Sequence, residues 1–551
     1  MISVALAAAV ICFVVYLPAL ACNFINWDDT TYLLNNQIFR SMDLEMVVRA
    51  FTTIPINFWI PLTWISYAVD FHFWGMNPTG YHLTNIIIHS ANVALLVPIA
   101  DRLFRWRPEF LAGVPADCTS GSGPGFRYCA LLLLAALLWG IHPARVESVA
   151  WATERKDVLN TLFLLGSLHF YLQYSWLKTR EPGFGPTLRP YLLSLLFFAF
   201  SLMAKPSGVV LPLLLLVLDW YPAARLRRGE IVGLLLEKVP YLIIAGVVAA
   251  VTIFVGAVQG AFNPLNEFPL FVRVVVIGNA LFEYVRLLLN PAGIITYYHL
   301  PLTIPQSYIY KAGAAFISLA ACLILGRRKP WFIAALLAFL ISLLPVLQLF
   351  PNGLQPALCT RYTYLPTLLP SILLALLIGK GCCRVSSFLP RAGALLAGGL
   401  VLLLLIYYGV VTQRLIGDWR NSGTFWTKVI ENQPFERAYF YRGLYYVDET
   451  EYPAAVQDYT SALEMLEAVQ SPERFNLYAF RGEALAKAGR YTEAVRDFDV
   501  AIALFPHRLY FYHRGAALQA LGRLQEAAED MAKAGRAKGQ MYWFNPGSPL
   551  Q

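Results

Sequence analysis

The stretch ISVALAAAVICFVVYLPALACNFINWDD, residues 2–29, carries an apolar run directly into two adjacent aspartates. Residues 2–21 reach the roughly 20 apolar residues that a transmembrane helix needs. No basic residue precedes the run, so we expect a retained first helix rather than a cleaved signal peptide. Asp28 and Asp29 follow within a few residues, where charge is normally avoided unless it is used. They are therefore the first candidates for catalysis.

The whole chain has the composition of a membrane protein. Its 551 residues are 58% hydrophobic and 14% charged, which is too apolar for an ordinary soluble enzyme. We predict an all-α, polytopic membrane helix bundle of about 11 spans. The apolar segment 271–289 carries Arg273, Glu283 and Arg286, so we interpret it as re-entrant or interfacial. The predicted spans are 2–21, 82–100, 129–141, 158–176, 191–204, 208–220, 240–258, 310–326, 331–350, 364–379 and 392–411.

The basic residues favour one side of this topology. With the N-terminus in the cytoplasm, the inner loops hold 17 Lys and Arg and the outer loops hold 9. This positive-inside bias accounts for the net charge of +9 without a nucleic-acid partner. An odd number of spans then places residues 412–551 on the same outer face as Asp28 and Asp29. We expect a bacterial inner-membrane protein whose aspartate loop and C-terminal region lie in the periplasm.

The C-terminal region contains one pattern three times. Counted from Gly443, Gly482 and Gly515, apolar residues recur at offsets of 9, 12, 16 and 19. Small residues where helices cross, with a large apolar residue between them, are typical of the tetratricopeptide helix-turn-helix repeat. Such repeats recruit a protein or peptide, or else serve only as a structural cap. The predicted division is a membrane domain at 1–411, a linker at 412–436 and a soluble α-solenoid of tetratricopeptide repeats at 437–551.

A second outer loop, HPARVESVAWATERKD at 142–157, is dense in charge. Cations at a lipid boundary can hold a phosphate, and a carboxylate with a raised pKa can take a proton from a hydroxyl. The pattern favours transfer of a group from a lipid-linked phosphate to a hydroxyl, although such loops are also charged merely to stay in water. The candidate residues for binding the donor phosphate or substrate are Arg145, Glu154, Arg155, Lys156, Asp157, Lys205 and Arg361.

Other chemistries lack a signature in the sequence. There is no GxxxxGK[ST] phosphate loop and no HExxH, so nucleotide hydrolysis and zinc proteolysis have no support. The eight cysteines contain no CxxC spacing and the eight histidines are scattered, so we predict no metal site among them. No cofactor is assigned, and a requirement for a divalent metal stays open.

Several motifs resemble a known family. NWDD at 26–29, PLTWISY at 61–67, GYHLTNIIIH at 80–89, HPARVESVAWATERKDVL at 142–159 and the C-terminal repeats resemble the transmembrane-and-TPR O-mannosyltransferases and their bacterial relatives. The family belongs to the GT-C glycosyltransferases. The resemblance implies a catalytic aspartate in the first outer loop and a polyprenyl- or dolichyl-phosphate sugar as donor. One of Asp28 and Asp29 would be the general base, and residues 154–157 match a second-loop motif.

The predicted function is therefore a membrane glycosyltransferase that moves mannose or another hexose from a polyprenyl phosphate to an acceptor hydroxyl. Only three repeats are present, fewer than animal members carry, so a protein Ser/Thr, a glycan and a lipid all remain open as acceptors. The alternatives are a non-enzymatic, membrane-anchored repeat scaffold for envelope proteins, or a polysaccharide polymerase or ligase. If Asp28 or Asp29, Lys156 and Arg361 line one cavity that opens sideways to lipid, the enzyme is favoured; if they are dispersed, the scaffold is favoured.

Overall fold

The computed structural model describes residues 1–54, 58–107, 111, 125–180, 184–226, 230–258, 269–301, 303–347, 358–388 and 390–535. Within these ranges the chain is helical, without a β-strand, which confirms the all-α prediction. Residues 348–350 of the predicted span 331–350, and residues 536–551 of the predicted repeat domain, lie outside them.

The helices follow one another with short connections. The first sixteen are α1 Ile2–Tyr16, α2 Leu44–Thr52, α3 Pro61–Trp74, α4 Pro78–Trp106, α5 Phe126–Gly140, α6 Val146–Ala150, α7 Arg155–Arg180, α8 Phe184–Ala204, α9 Leu211–Trp220, α10 Ile231–Leu236, α11 Val239–Val258, α12 Leu270–Leu289, α13 Gln306–Gly326, α14 Pro330–Leu343, α15 Leu368–Phe388 and α16 Pro390–Asp418. The last seven are α17 Ser422–Asn432, α18 Glu436–Asp448, α19 Tyr452–Ala468, α20 Arg474–Lys487, α21 Tyr491–Leu504, α22 Arg508–Ala520 and α23 Leu524–Ala534.

Several helices are long and apolar enough to cross a bilayer, so the chain is an integral membrane protein. In the described part they number seven, or eight if Phe126–Gly140 and Pro143–Ala150, bent by 53°, form one broken span. The other three predicted spans also form helices, but α7 is less apolar and α9 and α14 are short. Segment 271–289 forms the continuous helix α12, which is not one of the helices that are long and apolar enough to cross a bilayer. These eight candidate spans lie at positions where spans were predicted, and the total of 11 spans stays a prediction.

Polar side chains on α4 hold the second outer loop in place. Asn85 Nδ2 donates to the carbonyl of Trp151 (3.1 Å) and Asn92 Nδ2 donates to that of Val158 (2.9 Å). Both amides are fully buried. Polar groups away from water need such partners, and neighbouring helices supply them in membrane proteins. The loop is therefore fixed against the helix bundle rather than free in solvent.

The segment between α1 and α3 contains the short amphipathic helix α2. Asp43 caps it by accepting from the N–H of Met46 (2.7 Å). Met46 and Ala50 face the interior, whereas Leu44 and Val48 leave 79% and 51% of their surface exposed. An exposed apolar face on a charged helix is what an interfacial helix presents to lipid.

The chain divides into two compact units. The membrane unit comprises residues 1–24, 28–294 and 300–420, and the repeat unit comprises residues 25–27, 295–299 and 421–551. The predicted linker 412–436 is not a separate segment, because α16 continues to Asp418 and α17 forms part of the repeat unit. Two short pieces from far upstream, one of them Ile25–Trp27, complete the repeat unit.

The three predicted repeats are the helix pairs α18 with α19, α20 with α21 and α22 with α23. Gly443 is required by close packing, since a Cβ there would lie 2.5 Å from the ring of Tyr459. The pairs bury one continuous apolar core. This is the helix-turn-helix architecture that the offsets predict, with α17 packed against the first pair.

Each repeat also contains an ion pair that the pattern of apolar residues did not reveal. The arginine before each glycine donates two hydrogen bonds to an aspartate sixteen residues later, with N–O distances of 2.7–2.8 Å. Bidentate contacts of this kind fix geometry as well as adding energy. The pairs are Arg442–Asp458, Arg481–Asp497 and Arg514–Asp530.

Candidate active site

Asp28 and Asp29 have different surroundings. Asp29 is fully buried and accepts hydrogen bonds from the backbone N–H (3.0 Å) and the hydroxyl of Thr153. Asp28, by contrast, leaves 36% of its side chain exposed, and its Oδ2 lies 3.9 Å from Lys156 Nζ. The buried aspartate is built into the structure, whereas the exposed one is accessible to a ligand.

The Thr153 that holds Asp29 is itself fixed. It belongs to the short 3-10 helix Ala152–Glu154, which directly precedes α7. The hydroxyl of Tyr67, on α3, donates to the carbonyl of Thr153 (3.1 Å). Two predicted outer loops, whose contacting residues Asp29 and Thr153 are more than a hundred positions apart, therefore meet at one hydrogen-bonded turn.

Glu154 is the centre of a charge cluster beside Asp28. Its carboxylate is 1% exposed and lies 3.2 Å from Lys156 Nζ, 3.4 Å from Lys205 Nζ and 3.6 Å from Arg361 Nε. Burying a carboxylate is costly unless cations are paired with it, and here three are. We call this set the outer charge cluster, after the predicted outer loops that supply its members; they are Asp28, Glu147, Glu154, Lys156, Asp157, Lys205 and Arg361.

The members of the outer charge cluster come from the ends of several helices. Lys156 and Asp157 lie in the first turn of α7, and Lys205 follows the last residue of α8. Arg361 lies in the 3-10 helix Thr360–Thr363, just before α15. The ends of several helices thus bring together charges that lie more than 300 residues apart in the sequence.

Glu147 is a member that the choice of candidate residues missed. It forms an ion pair with Arg361, and it also accepts from the hydroxyl of Thr360 (2.6 Å) and the N–H of Arg361 (2.9 Å). Its place in the charged loop 142–157 was the available signal. The three contacts fix the turn that presents Arg361 to Glu154.

Three carboxyl groups of the outer charge cluster have pKa values that are shifted in different directions. Burial raises the pKa of Asp28, and the charge of Lys156 opposes this shift. The side chain nevertheless keeps 36% of its surface exposed. Burial raises the pKa of Asp157 to about 7, against the opposing charge of Lys205. Burial also disfavours ionised Glu154, but Lys156, Lys205 and Arg361 together hold its pKa well below the usual range. Environments that separate the pKa values of neighbouring carboxyls are typical of acid–base sites.

Aromatic rings line the cations of the cluster. Lys156 Nζ lies 4.6 Å from the centre of the Tyr32 ring, and the guanidinium of Arg361 lies 5.5 Å from that of Trp151. Cations within about 6 Å of a ring face are stabilised by it. The rings therefore stabilise the buried and half-buried positions of these two cations.

Arg155 and Arg145 do not join the outer charge cluster. Arg155 is fully buried in an ion pair with Asp70 (2.6 Å) and donates to the carbonyl of Tyr81 (2.7 Å). Arg145 is fully buried as well, and its Nη2 donates to the hydroxyl of Thr363 (2.8 Å). Both side chains are enclosed by protein, so neither is accessible to a donor phosphate as the sequence suggested. In the described ranges no group of three or more His, Cys, Asp or Glu is arranged to hold a metal ion.

The chain aligns with curated proteins of one kind. It is 28% identical over 179 residues to the human protein O-mannosyl-transferase TMTC4. The alignment covers 32% of this chain and 23% of the relative. It is also 28% identical over 179 residues to the Xenopus laevis protein O-mannosyl-transferase tmtc2, and this alignment covers 32% of this chain and 18% of the relative. It is 25% identical over 209 residues to the Drosophila melanogaster protein O-mannosyl-transferase Tmtc1, and this alignment covers 37% of this chain and 21% of the relative. The chain is similar to the TMTC O-mannosyl-transferases.

The similarity confirms the resemblance that the motifs predicted. It spans only about a fifth of the length of these TMTC relatives, so their activity and substrates are carried over to this chain only as proposals. No family model matches the chain, and no solved structure matches it.

Proposed function

We propose that the protein is a GT-C-type membrane glycosyltransferase that uses a polyprenyl-phosphate hexose, mannose above all, to glycosylate Ser or Thr of a protein on the outer face. The observation that carries the proposal is the partly exposed Asp28 carboxylate, 3.9 Å from Lys156 in the outer charge cluster. The printed names of the TMTC relatives, which are protein O-mannosyl-transferases, support the type of reaction.

In the proposed reaction Asp28 is the general base. It takes the proton from the acceptor hydroxyl as the oxygen attacks C1 of the sugar. The bond between C1 and the phosphate oxygen breaks, and its electron pair leaves with the lipid phosphate. A raised pKa suits this role, because a carboxylate that is easier to protonate is a better base.

The cations of the cluster are suited to the leaving group. Lys205 is 19% exposed and Arg361 10%, so both reach the surface, whereas Lys156 is buried beneath Asp28; all three are held by Glu154. Positive charge that is fixed beside a leaving phosphate stabilises its developing charge with no reorganisation cost. Glu154 and Glu147 orient these cations rather than reacting themselves.

The protonation state of Asp157 determines how much of the Lys205 charge is available to the donor phosphate. It forms an ion pair with Lys205, and its pKa of about 7 means that it is partly protonated near neutrality. Protonated Asp157 leaves the charge of Lys205 available to the donor. We therefore expect donor binding to be accompanied by proton uptake at Asp157.

The remaining parts of the proposal concern partners and place. The helix pairs α18 to α23 would recruit the acceptor protein, as helix-repeat surfaces commonly do. The positive-inside bias supports an outer location for Asp28 and the repeat unit, which is the periplasm if the membrane is a bacterial inner membrane.

The test is transfer by the purified full chain in liposomes. A labelled polyprenyl-phosphate mannose is offered with unfolded protein rich in Ser and Thr, and the label in protein is measured. The proposal expects label that β-elimination releases. Label in a polysaccharide instead would support the polymerase, and no consumption of donor under any condition would leave the scaffold as the better account.

A further inference from the structure

The chain directly after Asp28 is wound more widely than an α-helix. Asp28 and Asp29 are helical and lead into the π-helical turn Thr30–Leu34. The turn is closed by the N–H of Asn35, which donates to the carbonyl of Thr30 (2.9 Å). A bond from residue i to residue i+5 is rare, and such turns occur frequently at functional sites. We therefore asked which side chains hold this turn and which side chains it positions.

The turn carries two groups that contact Lys156. Asp28 Oδ2 lies 3.9 Å from Lys156 Nζ, and the centre of the Tyr32 ring lies 4.6 Å from the same atom. Residues four apart lie on one side of a helix, so the two groups approach Lys156 together. The Tyr32 ring also stacks on that of Trp64, with 5.7 Å between ring centres and an interplanar angle of 21°. Lys156 thus lies between a carboxylate and a ring from the same helical segment.

Arg40 binds the end of the π-helical turn. Its Nη2 donates to the carbonyls of Leu33 (2.7 Å) and Leu34 (2.8 Å). Its Nε donates to the carbonyl of Asn36 (3.1 Å). The last carbonyls of a helix have no partner within it, and a cation at this end is favourable. One guanidinium therefore holds three consecutive parts of the chain where the turn ends.

Helix α3 supports both Arg40 and Tyr32. The guanidinium carbon of Arg40 lies 5.0 Å from the ring centre of Phe71, which belongs to α3, and 5.0 Å from that of Phe39. Trp64, on which Tyr32 stacks, belongs to the same helix. All of these residues are part of the membrane unit. The π-helical turn is therefore held at its end by Arg40 and along its side by α3.

We infer that Arg40 is a positioning residue, which holds the π-helical turn in the form that brings Asp28 and Tyr32 onto Lys156. The inference rests on the proposed role of Asp28 as general base. Without Arg40 the turn relaxes toward the ordinary bond from residue i to residue i+4, and Asp28 and Tyr32 rotate relative to one another. Misplacing a reacting group by about 1 Å can cost about a hundredfold in rate, so loss of Arg40 acts on kcat.

The experiment measures mannose transfer in liposomes by the full chain with Arg40→Gln. We expect kcat to fall by about ten- to a hundredfold. Donor KM stays within about twofold, because it depends on Lys205 and Arg361, whose ion pairs are with other residues. Arg49→Gln is the matched control, since its ion pair with Glu45 (3.9 Å) on neighbouring α2 has side chains that are 40% and 78% exposed. It should keep the wild-type kcat and KM.

A double-variant cycle separates positioning from a general loss of structure. Tyr32→Leu removes the ring that contacts Lys156. Effects of residues that act as one unit are not additive, so combining Arg40→Gln with Tyr32→Leu should lower kcat little more than the more severe single change. Arg40→Lys keeps a donor for the carbonyls and should recover part of the lost kcat. If Arg40→Gln does not fold, the same cycle with Arg40→Lys decides the question.

The positioning inference and the proposed function fail by different results. If Asp28→Asn is inactive but Arg40→Gln keeps the wild-type kcat, the positioning inference is overturned and the proposed base stands. Losses that multiply in the cycle, or an equal loss of kcat in Arg49→Gln, also overturn the inference. If Asp28→Asn itself transfers sugar at the wild-type rate, the proposed function is overturned first.

Discussion

Thr153 binds Asp29 twice, through its backbone N–H at 3.0 Å and through its hydroxyl, and so removes one of two adjacent aspartates from contact with solvent. Asp28, its neighbour, keeps 36% of its side chain exposed beside Lys156. This difference gives Asp29 a structural task, and the proposed mechanism assigns the chemistry to Asp28. It also allows the two to be told apart by stability as well as by activity.

Thr153→Val should destabilise the protein, because it removes the hydroxyl that the buried Asp29 carboxylate accepts from. We expect a loss of about 1–3 kcal/mol in the free energy of unfolding, the usual cost of an unsatisfied buried group. Asp28→Asn should leave that free energy unchanged. Unfolding of both variants in SDS and mild detergent measures the difference, and equal stability of the two would count against distinct roles.

Asp157→Asn should remove a pH dependence of donor affinity. In the wild type, ionisation of Asp157 as pH rises through about 7 neutralises Lys205 and weakens donor binding. An amide at this position cannot ionise, so the donor affinity of the variant should stay flat between pH 6 and 8, a window of about one unit on each side of that pKa. Equilibrium binding of a polyprenyl phosphate at several pH values is the measurement. A parallel decline in wild type and variant would show that another group governs binding.

Lys205→Met and Arg155→Met should affect different properties. Arg155 is fully buried with Asp70, and removing one partner of a buried pair costs about 3–5 kcal/mol. Lys205 is 19% exposed in the outer charge cluster, so its loss should raise donor KM by about tenfold or more, a loss of one charge-assisted contact, while the protein still folds. Thermal unfolding in detergent and donor kinetics are measured for both. A stable Arg155→Met with weakened donor binding would contradict the separation of the two cations.

The ion pair repeated in each helix pair should stabilise the repeat unit. Arg481→Gln breaks two hydrogen bonds to Asp497, whose side chain is 9% exposed, and should cost about 1.5–3 kcal/mol. Arg490→Gln is the matched control, since its pair with Glu493 has the same distance but both side chains are 49% exposed. Exposed pairs are screened by water, so the control should have little effect. Limited proteolysis and thermal unfolding of the full chain compare the two.

Much of the site could be predicted because membrane topology groups residues by side. The charge bias of the loops places Asp28, Lys156 and Arg361 at one face, and the structure brings them around Glu154. The repeat offsets likewise predicted the helix pairs, because Gly443 has no room for a side chain against Tyr459.

The other features of the site depend on the direction in which each side chain points, and the sequence pattern does not show this direction. Arg155 and Lys156 are consecutive at the start of a helix, where each residue turns by about 100°, so one side chain enters the bundle and the other faces the outer charge cluster. The partner that captures Arg155 is Asp70, on another helix. The unequal burial of Asp28 and Asp29 has the same origin, since only the fold places Thr153 over one of them.

The most direct test of the proposed mechanism is the initial rate of mannose transfer from labelled polyprenyl-phosphate mannose by Asp28→Asn in liposomes, with Asp157→Asn as the matched carboxyl-to-amide control. General-base catalysis typically contributes about 10²- to 10⁴-fold. We predict a loss of that size in Asp28→Asn, with donor binding and melting temperature retained, and a loss of less than about tenfold in Asp157→Asn, whose carboxyl is already partly protonated near pH 7. Transfer by Asp28→Asn at the wild-type rate would contradict the assignment of Asp28 as the base.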